Sequence, residues 1–386
     1  MNGQKIGTHK DKRIYVYCVL IFLLICSYAN YQIIHFDGRG YLILSFAWLF
    51  ILTGRNIQYY IKQPPVIIWS ILMAYHIINA IIKKSDNLTE QSIVSQTLIS
   101  ITLMILVSKV YVNNRELLFK FLIFSTYYYL LIAYYFGDTE TYDGRLSGFI
   151  YTTQLGQLAG VSCMIISMYI IYKKKWTLSY LYIYPIFIML LAGARNGFLM
   201  VAFAFLCLAV PFLFKRKRVL ILLVFIVLIL INSFINTQLY ERLITGAQES
   251  SLTTGTIWDD ILGDRIFYYI VGYQNFIDNP ITGIGLLNFS RFNFYNYPIH
   301  SEIMTHLAEG GLIALILYLS FKFYYIKFFI RNCSKNTIVL NQCLILFVSL
   351  AVLGLTARIY QYSFFFIIYG IINGEIIRIT NNTDRI

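Results

Sequence analysis

Twelve apolar stretches, each close to the roughly 20 residues that a helix needs to cross a bilayer core, divide this chain almost from end to end. They run approximately over 14–34, 40–54, 64–82, 92–108, 117–136, 148–172, 176–193, 197–214, 219–236, 303–321, 338–357 and 359–377. The second is short, and without it the count is eleven. Composition agrees: 58% of residues are hydrophobic and 13% charged, against roughly 45–50% and 25% in soluble domains. The sequence therefore predicts an all-α integral membrane protein, a single polytopic domain of about 12 transmembrane helices.

Orientation follows from the lysines and arginines, because cytoplasmic loops retain them. With the N-terminus inside, the inner segments hold 22 of the 31 basic residues, among them "KKK" at 173–175, "KRKR" at 215–218, and Lys322, Lys327, Arg331 and Lys335. Of the 18 acidic residues, only Asp11, Glu116, Glu375 and Asp384 fall inside. This partition predicts both termini in the cytoplasm. The net charge of +13 is then a product of topology and not a nucleic-acid signal, since no basic reading domain separates from the membrane segments. The first helix reads as an uncleaved signal anchor. The six cysteines fall in membrane helices or, for Cys333, in an inner loop, so no disulfide framework is expected. Aromatic runs such as "YYYLLIAYYF" fit interfacial belts.

Nine predicted spans fill 14–236 and three fill 303–377. Between them lies one long outer loop, 237–302, which holds the densest group of charged and glycine positions. Long loops in compact folds are usually functional or disordered. In this one, Ile257, Trp258, Ile261, Leu262, Ile266, Ile270, Tyr273 and Ile277 recur at helical spacing, which predicts an amphipathic helix lying on the outer surface.

Three outer arginines are candidates for holding an anion. Arg195 sits in the tight turn "LLAGARNGF", where a charge at membrane depth is costly unless paired and the next helix offers free backbone N–H groups. Arg265 lies in "LGDRIF", beside acidic partners that could simply neutralise it, and Arg291 in "NFSRFNF". The turn "NPITGIG" sets Gly283 and Gly285 where backbone can approach a ligand closely. In "YPIHSEIMTHLAEGG", Ser301 suits a helix cap and Glu302 the first turn. His300 stands just before that helix, while Glu302, His306 and Glu309 share a face by their spacing. Zinc would want HExxH or paired cysteines. Neither is present, so no metal and no cofactor is expected. Gly310 and Gly311 predict close packing against a neighbour.

Taken together, "GARNG", "GDRIFYYIVGYQNFIDNPITGIG" and "HSEIMTHLAEGGLIALILYL" resemble the O-antigen polymerase and O-antigen ligase family of bacterial envelope enzymes. His300, Ser301 and Gly311 match the family spacing of a histidine, a small polar residue and, nine residues on, a glycine; Ala314 departs mildly from it. The resemblance spans about 190–320. It implies a glycosyltransferase of the bacterial inner membrane whose donor and acceptor are undecaprenyl-diphosphate-linked oligosaccharides, with a flippase and a chain-length regulator as partners. Carried over, Arg195 and Arg265 hold the diphosphate and His300 belongs to the catalytic centre.

Arginines grip phosphate oxygens bidentately, and a histidine titrates near working pH, so the residue chemistry agrees with that assignment. Glu302 is the second candidate base. A polymerase joining repeat units is the leading reading, and a ligase passing the glycan to lipid A-core is its rival. A flippase for the same lipid is the reading from another class, disfavoured by the long loop and by charges that cluster outside the membrane.

Overall fold

The computed structural model describes residues 13–34, 39–53, 57–85, 92–136, 152–192, 194–213, 265–292, 299, 301–332, 337–356 and 364–383. All regular structure among the described residues is helical. The helices are α1 (Ile14–Ile34), α2 (Arg39–Thr53), the short α3 (Ile57–Ile61), α4 (Pro64–Ile82), α5 (Ser92–Asn113), α6 (Arg115–Tyr135) and α7 (Thr152–Lys173). A 3-10 segment over Trp176–Tyr182 leads into α8 (Ile183–Ala192), followed by α9 (Arg195–Leu213), α10 (Arg265–Asp278), α11 (Glu302–Asn332), α12 (Ile338–Thr356) and α13 (Phe365–Thr383).

Five described helices are long and apolar enough to cross a membrane: α4, α6, α7, α11 and α12. Further apolar helices are shorter over their described residues. Helical segments overlap eleven of the twelve predicted spans, one of them broken within the span, and the span at 219–236 lies outside the described residues. Local chemistry sets several boundaries. Pro64 and Pro65 open α4, where the missing N–H of proline costs nothing. Asn114 separates α5 from α6 and caps the latter, its side chain accepting from the Leu117 N–H at 3.1 Å.

Two tight crossings organise the bundle. On α7, Gly156 and Gly160 face Ala194, Gly197 and Met200 of the α9 end, so closely that a Cβ on Gly197 would lie 2.5 Å from the Gly156 carbonyl oxygen. On α13, Gly370 and Gly374 lie against Val107 and Tyr111 of α5, and the Ser108 hydroxyl donates to the Gly370 carbonyl at 2.9 Å. Without a hydrophobic drive between helices in lipid, such close backbone approach supplies the packing energy.

The predicted span 303–321 is corrected. Helix α11 is broken at Gly311, whose φ of 65° and ψ of −163° are not helical. The Tyr318 hydroxyl donates to Glu302 Oε2 at 2.9 Å, and the rings of His306 and Tyr318 lie 4.6 Å apart. In a straight helix, residues 302 and 318 would be separated by about 24 Å. The chain therefore reverses at Gly311, and residues 302–310 run back along residues 312–332. The start of the first arm is level with the middle of the second.

Two basic residues, one of them Lys322 from the inner set, sit inside the bundle. Lys322 is buried in the second arm of α11, and Lys109 is buried in α5 beside the Tyr17 hydroxyl. The amphipathic helix of the long loop exists as α10, with residues 257–264 outside the described part. Its Ile270, Tyr273 and Ile277 stripe is exposed, whereas Gly272 packs on Met304 and Ala308 of the first arm. The apolar stripe thus faces away from the protein, as a helix in contact with lipid requires.

Candidate functional site

The reversal in α11 leaves two broken helix ends, and each end carries unpaired backbone groups. The "NPITGIG" turn that follows α10 meets two of these groups at each end. Its N–H groups serve the first arm: Ile284 donates to the Ala308 carbonyl at 3.0 Å and Gly285 to the Glu309 carbonyl at 2.9 Å. Its carbonyls serve the second arm: Pro280 accepts from the Leu312 N–H at 2.9 Å and Ile281 from the Ile313 N–H at 3.4 Å. One turn therefore caps the end of one helix and the start of the next.

The fit leaves no room for side chains. A Cβ on Gly283 would lie 2.5 Å from the Glu309 carbonyl carbon, and one on Gly311 would lie 2.4 Å from the Ile281 carbonyl oxygen; both residues also have positive φ. Gly311 occupies a region of backbone space that is essentially restricted to glycine. The space that a Cβ would take on Gly283 is filled by the α11 backbone, and that on Gly285 by Lys83, Ser85 and Asn288. Gly310 and Gly311 pack against a neighbour as expected, and that neighbour is the turn together with α4.

Helix α4 braces the assembly from the other side. Asn79 Nδ2 donates to the Thr282 carbonyl at 2.6 Å and to the Glu309 carbonyl at 3.2 Å. The Tyr75 hydroxyl donates to the Gly310 carbonyl at 2.8 Å, and Lys83 Nζ donates to Asn279 Oδ1 at 3.4 Å. His76 Nε2 lies 2.8 Å from His306 Nδ1, both rings fully enclosed. One proton must lie between these nitrogens, so at least one ring is fixed as a single tautomer.

Below the histidines, Glu302 is buried with Lys322 at 3.5 Å and Tyr318 at 2.9 Å, and Lys322 also donates to the Tyr369 hydroxyl of α13. Glu302, His306 and Glu309 share the buried face that their spacing predicts. Ser301 caps this helix: its hydroxyl accepts from the Met304 N–H at 3.4 Å, and its carbonyl accepts from the Thr305 N–H at 2.9 Å.

The remaining predicted residues divide plainly. Arg195 and Arg265 are the first residues of α9 and α10, but their side chains lie outside the described part, as does all of His300. Ile299 and Ser301, on either side of His300, are both buried. Arg291 is exposed in a 3-10 segment over Asn288–Phe292. Among the described residues no cluster of His, Cys, Asp or Glu is arranged to hold a metal ion.

Sequence reasoning missed Tyr75, His76, Asn79, Tyr318 and Lys322. His76 had a usable signal: an ionisable residue inside the apolar run "ILMAYHIINAII" is by default a functional candidate. Tyr318 and Lys322 had none, since only the reversal brings them to Glu302.

Among the described residues these features make up an all-helical architecture, with five helices long and apolar enough to cross a membrane, built around a helical hairpin locked by a capping turn. Residues 180–319 match a family model described as O-antigen ligase. That segment covers the stretch that carries the motif resemblance, and it is consistent with the O-antigen polymerase and ligase family and with an enzyme of glycosyl transfer. No curated protein matches the chain.

Proposed function

We propose that the protein is a polymerase of O-antigen or a related surface polysaccharide. It joins oligosaccharide units carried on undecaprenyl diphosphate at the outer face of the bacterial inner membrane. In this reading the acceptor hydroxyl oxygen attacks the anomeric carbon of the donor sugar, the bond from that carbon to the diphosphate breaks, and the configuration inverts. The bonding electrons leave with the lipid diphosphate, and the hydroxyl proton passes to His300 as base.

Arg195 and Arg265 hold the departing diphosphate, each at the start of a helix, where backbone N–H groups add to the charge, and Arg291 adds to the field. Little proton donation is needed by a diphosphate leaving group, so positioning and charge stabilisation carry most of the rate. No metal takes part in this scheme. Glu302, engaged by Lys322 and Tyr318, supports the arm that begins directly after His300 and Ser301.

The observation that supports this reading is that the motif parts form one folded unit. The glycine turn, Gly311 and the cap at Ser301 all belong to the re-entrant hairpin, and the hairpin's first arm, reversal and capping turn fall within the matched residues 180–319. A flippase and a chain-length regulator would supply the substrate and limit the product.

The ligase is kept as a second reading because the matching family model is described by that name. The test is deletion of the gene, with the surface glycan separated on a gel and the lipid-linked pool analysed in parallel. Collapse of the ladder to a single repeat unit on the acceptor identifies a polymerase. Long chains stranded on undecaprenyl diphosphate identify a ligase and overturn the leading reading.

A further inference from the structure

A second site lies at the opposite end of the α5 and α13 crossing from the hairpin. There a cavity of about 180 Å³ opens between α6, α7 and α12. Its walls are apolar, formed by Phe119, Met168, Ile171 and Val339. Helix ends meet around it: Arg115 is the first residue of α6, Lys174 directly follows the last residue of α7, and Ile338 is the first residue of α12. Among the described residues no acidic side chain lines it.

The charge around this cavity is in surplus. Glu375 Oε2 is shared by Arg115 at 2.9 Å and Arg378 at 3.1 Å. Glu116 is shared by Lys120 at 2.9 Å and Lys173 at 2.6 Å. Each nearby carboxylate thus serves two cations, and exposed Lys174 adds another. The N-termini of α6 and α12 contribute partial positive charge in the same place.

Lys174 is also held in an unfavourable backbone state. It closes α7 in a left-handed conformation with φ 54°, its N–H donating to the Ile171 carbonyl and the next N–H to the Ile170 carbonyl. That position normally takes glycine, and a lysine there accepts a local cost.

We propose that this cavity is a binding site for one anionic phospholipid, whose acyl chain enters between α6, α7 and α12 while its phosphate meets Arg115 and Lys174. The shape selects an amphipathic ligand, and the unbalanced cations select one of net negative charge. The site is independent of the glycosyl-transfer reading.

The test uses the full-length purified protein, with native mass spectrometry after exchange into phosphatidylglycerol or phosphatidylcholine. One phosphatidylglycerol is expected to be retained in preference to phosphatidylcholine. Lys174→Gly is expected to weaken that retention about fivefold while leaving thermal stability equal or higher, because glycine suits the left-handed position. Val339→Trp, which fills the cavity, is expected to abolish retention of both lipids. Equal retention of the two lipids by the wild type, or unchanged phosphatidylglycerol retention in Lys174→Gly, overturns the proposal even if Val339→Trp fails to fold.

Discussion

Lys322 is a charged side chain with 9% exposure inside a membrane helix, and Glu302, at 2%, is the acid that offsets it. Breaking a buried pair by removing one partner leaves the other charge uncompensated, which costs about 3–5 kcal/mol. Glu302→Leu is therefore expected to lower the unfolding temperature of the purified protein markedly, and Glu302→Leu combined with Lys322→Met to recover most of the loss. A double variant as unstable as the single one would show that the pair is not the source of the effect. Asn79→Ala removes a side chain that serves one carbonyl of the turn, Thr282, and one of the first arm, Glu309, and it should cost about 1–3 kcal/mol in the same assay. Arg195→Ala and His300→Ala are expected to abolish glycan joining at unchanged protein level and membrane insertion, read as the surface-glycan ladder; full activity in either removes that residue from the mechanism. At this scale the sequence made Glu302, His306 and Glu309 legible as one face because helical spacing is a local property. Lys322 read as a loop residue, because a lysine directly after the predicted span 303–321 looks like a helix end until the reversal is known.

The hairpin of α11 and its capping turn stand or fall together. Gly311→Ala would place a methyl group 2.4 Å from the Ile281 carbonyl oxygen in a backbone region closed to other residues, and Gly283→Ala would place one 2.5 Å from the Glu309 carbonyl carbon. Both substitutions are expected to reduce the monodisperse fraction in size-exclusion chromatography and to abolish activity. Gly272→Ala is the control: its nearest neighbour would be the flexible Met304 Cε at 3.1 Å, and near-normal yield is expected. Similar behaviour of all three would argue that the reversal is not what these glycines protect. The hairpin also bears on the carrier reading. In transporters, broken helix ends are left open to coordinate cargo. In this protein five of those groups, the Ala308, Glu309 and Gly310 carbonyls and the Leu312 and Ile313 N–H groups, are met by the turn, Tyr75 and Asn79, which leaves them closed to such a role.

For the molecule as a whole, charge distribution predicts which helix ends share a side, and cysteine labelling tests it. The five described cysteines are buried, so in a background lacking Cys333, added thiols report cleanly. Lys174→Cys is expected to react with an impermeant reagent only after the membrane is opened, and Asp278→Cys in intact cells; labelling of both from one side would reverse or break the topology. The membrane class, the positions of most helices and the motif of the candidate site were legible in the sequence alone. Apolar length, proline and asparagine at helix starts, and the spacing of His300, Ser301 and Gly311 are local signals that need no partner to be read. What only the tertiary structure decided is that the predicted tenth span contains a reversal, that Gly283 packs against the α11 backbone, and that His76 of α4 meets His306 of α11. Each of those depends on which other segment meets the broken helix, and hydropathy, a sum over neighbours along the chain, carries no record of contacts between residues that lie from 16 to 230 positions apart.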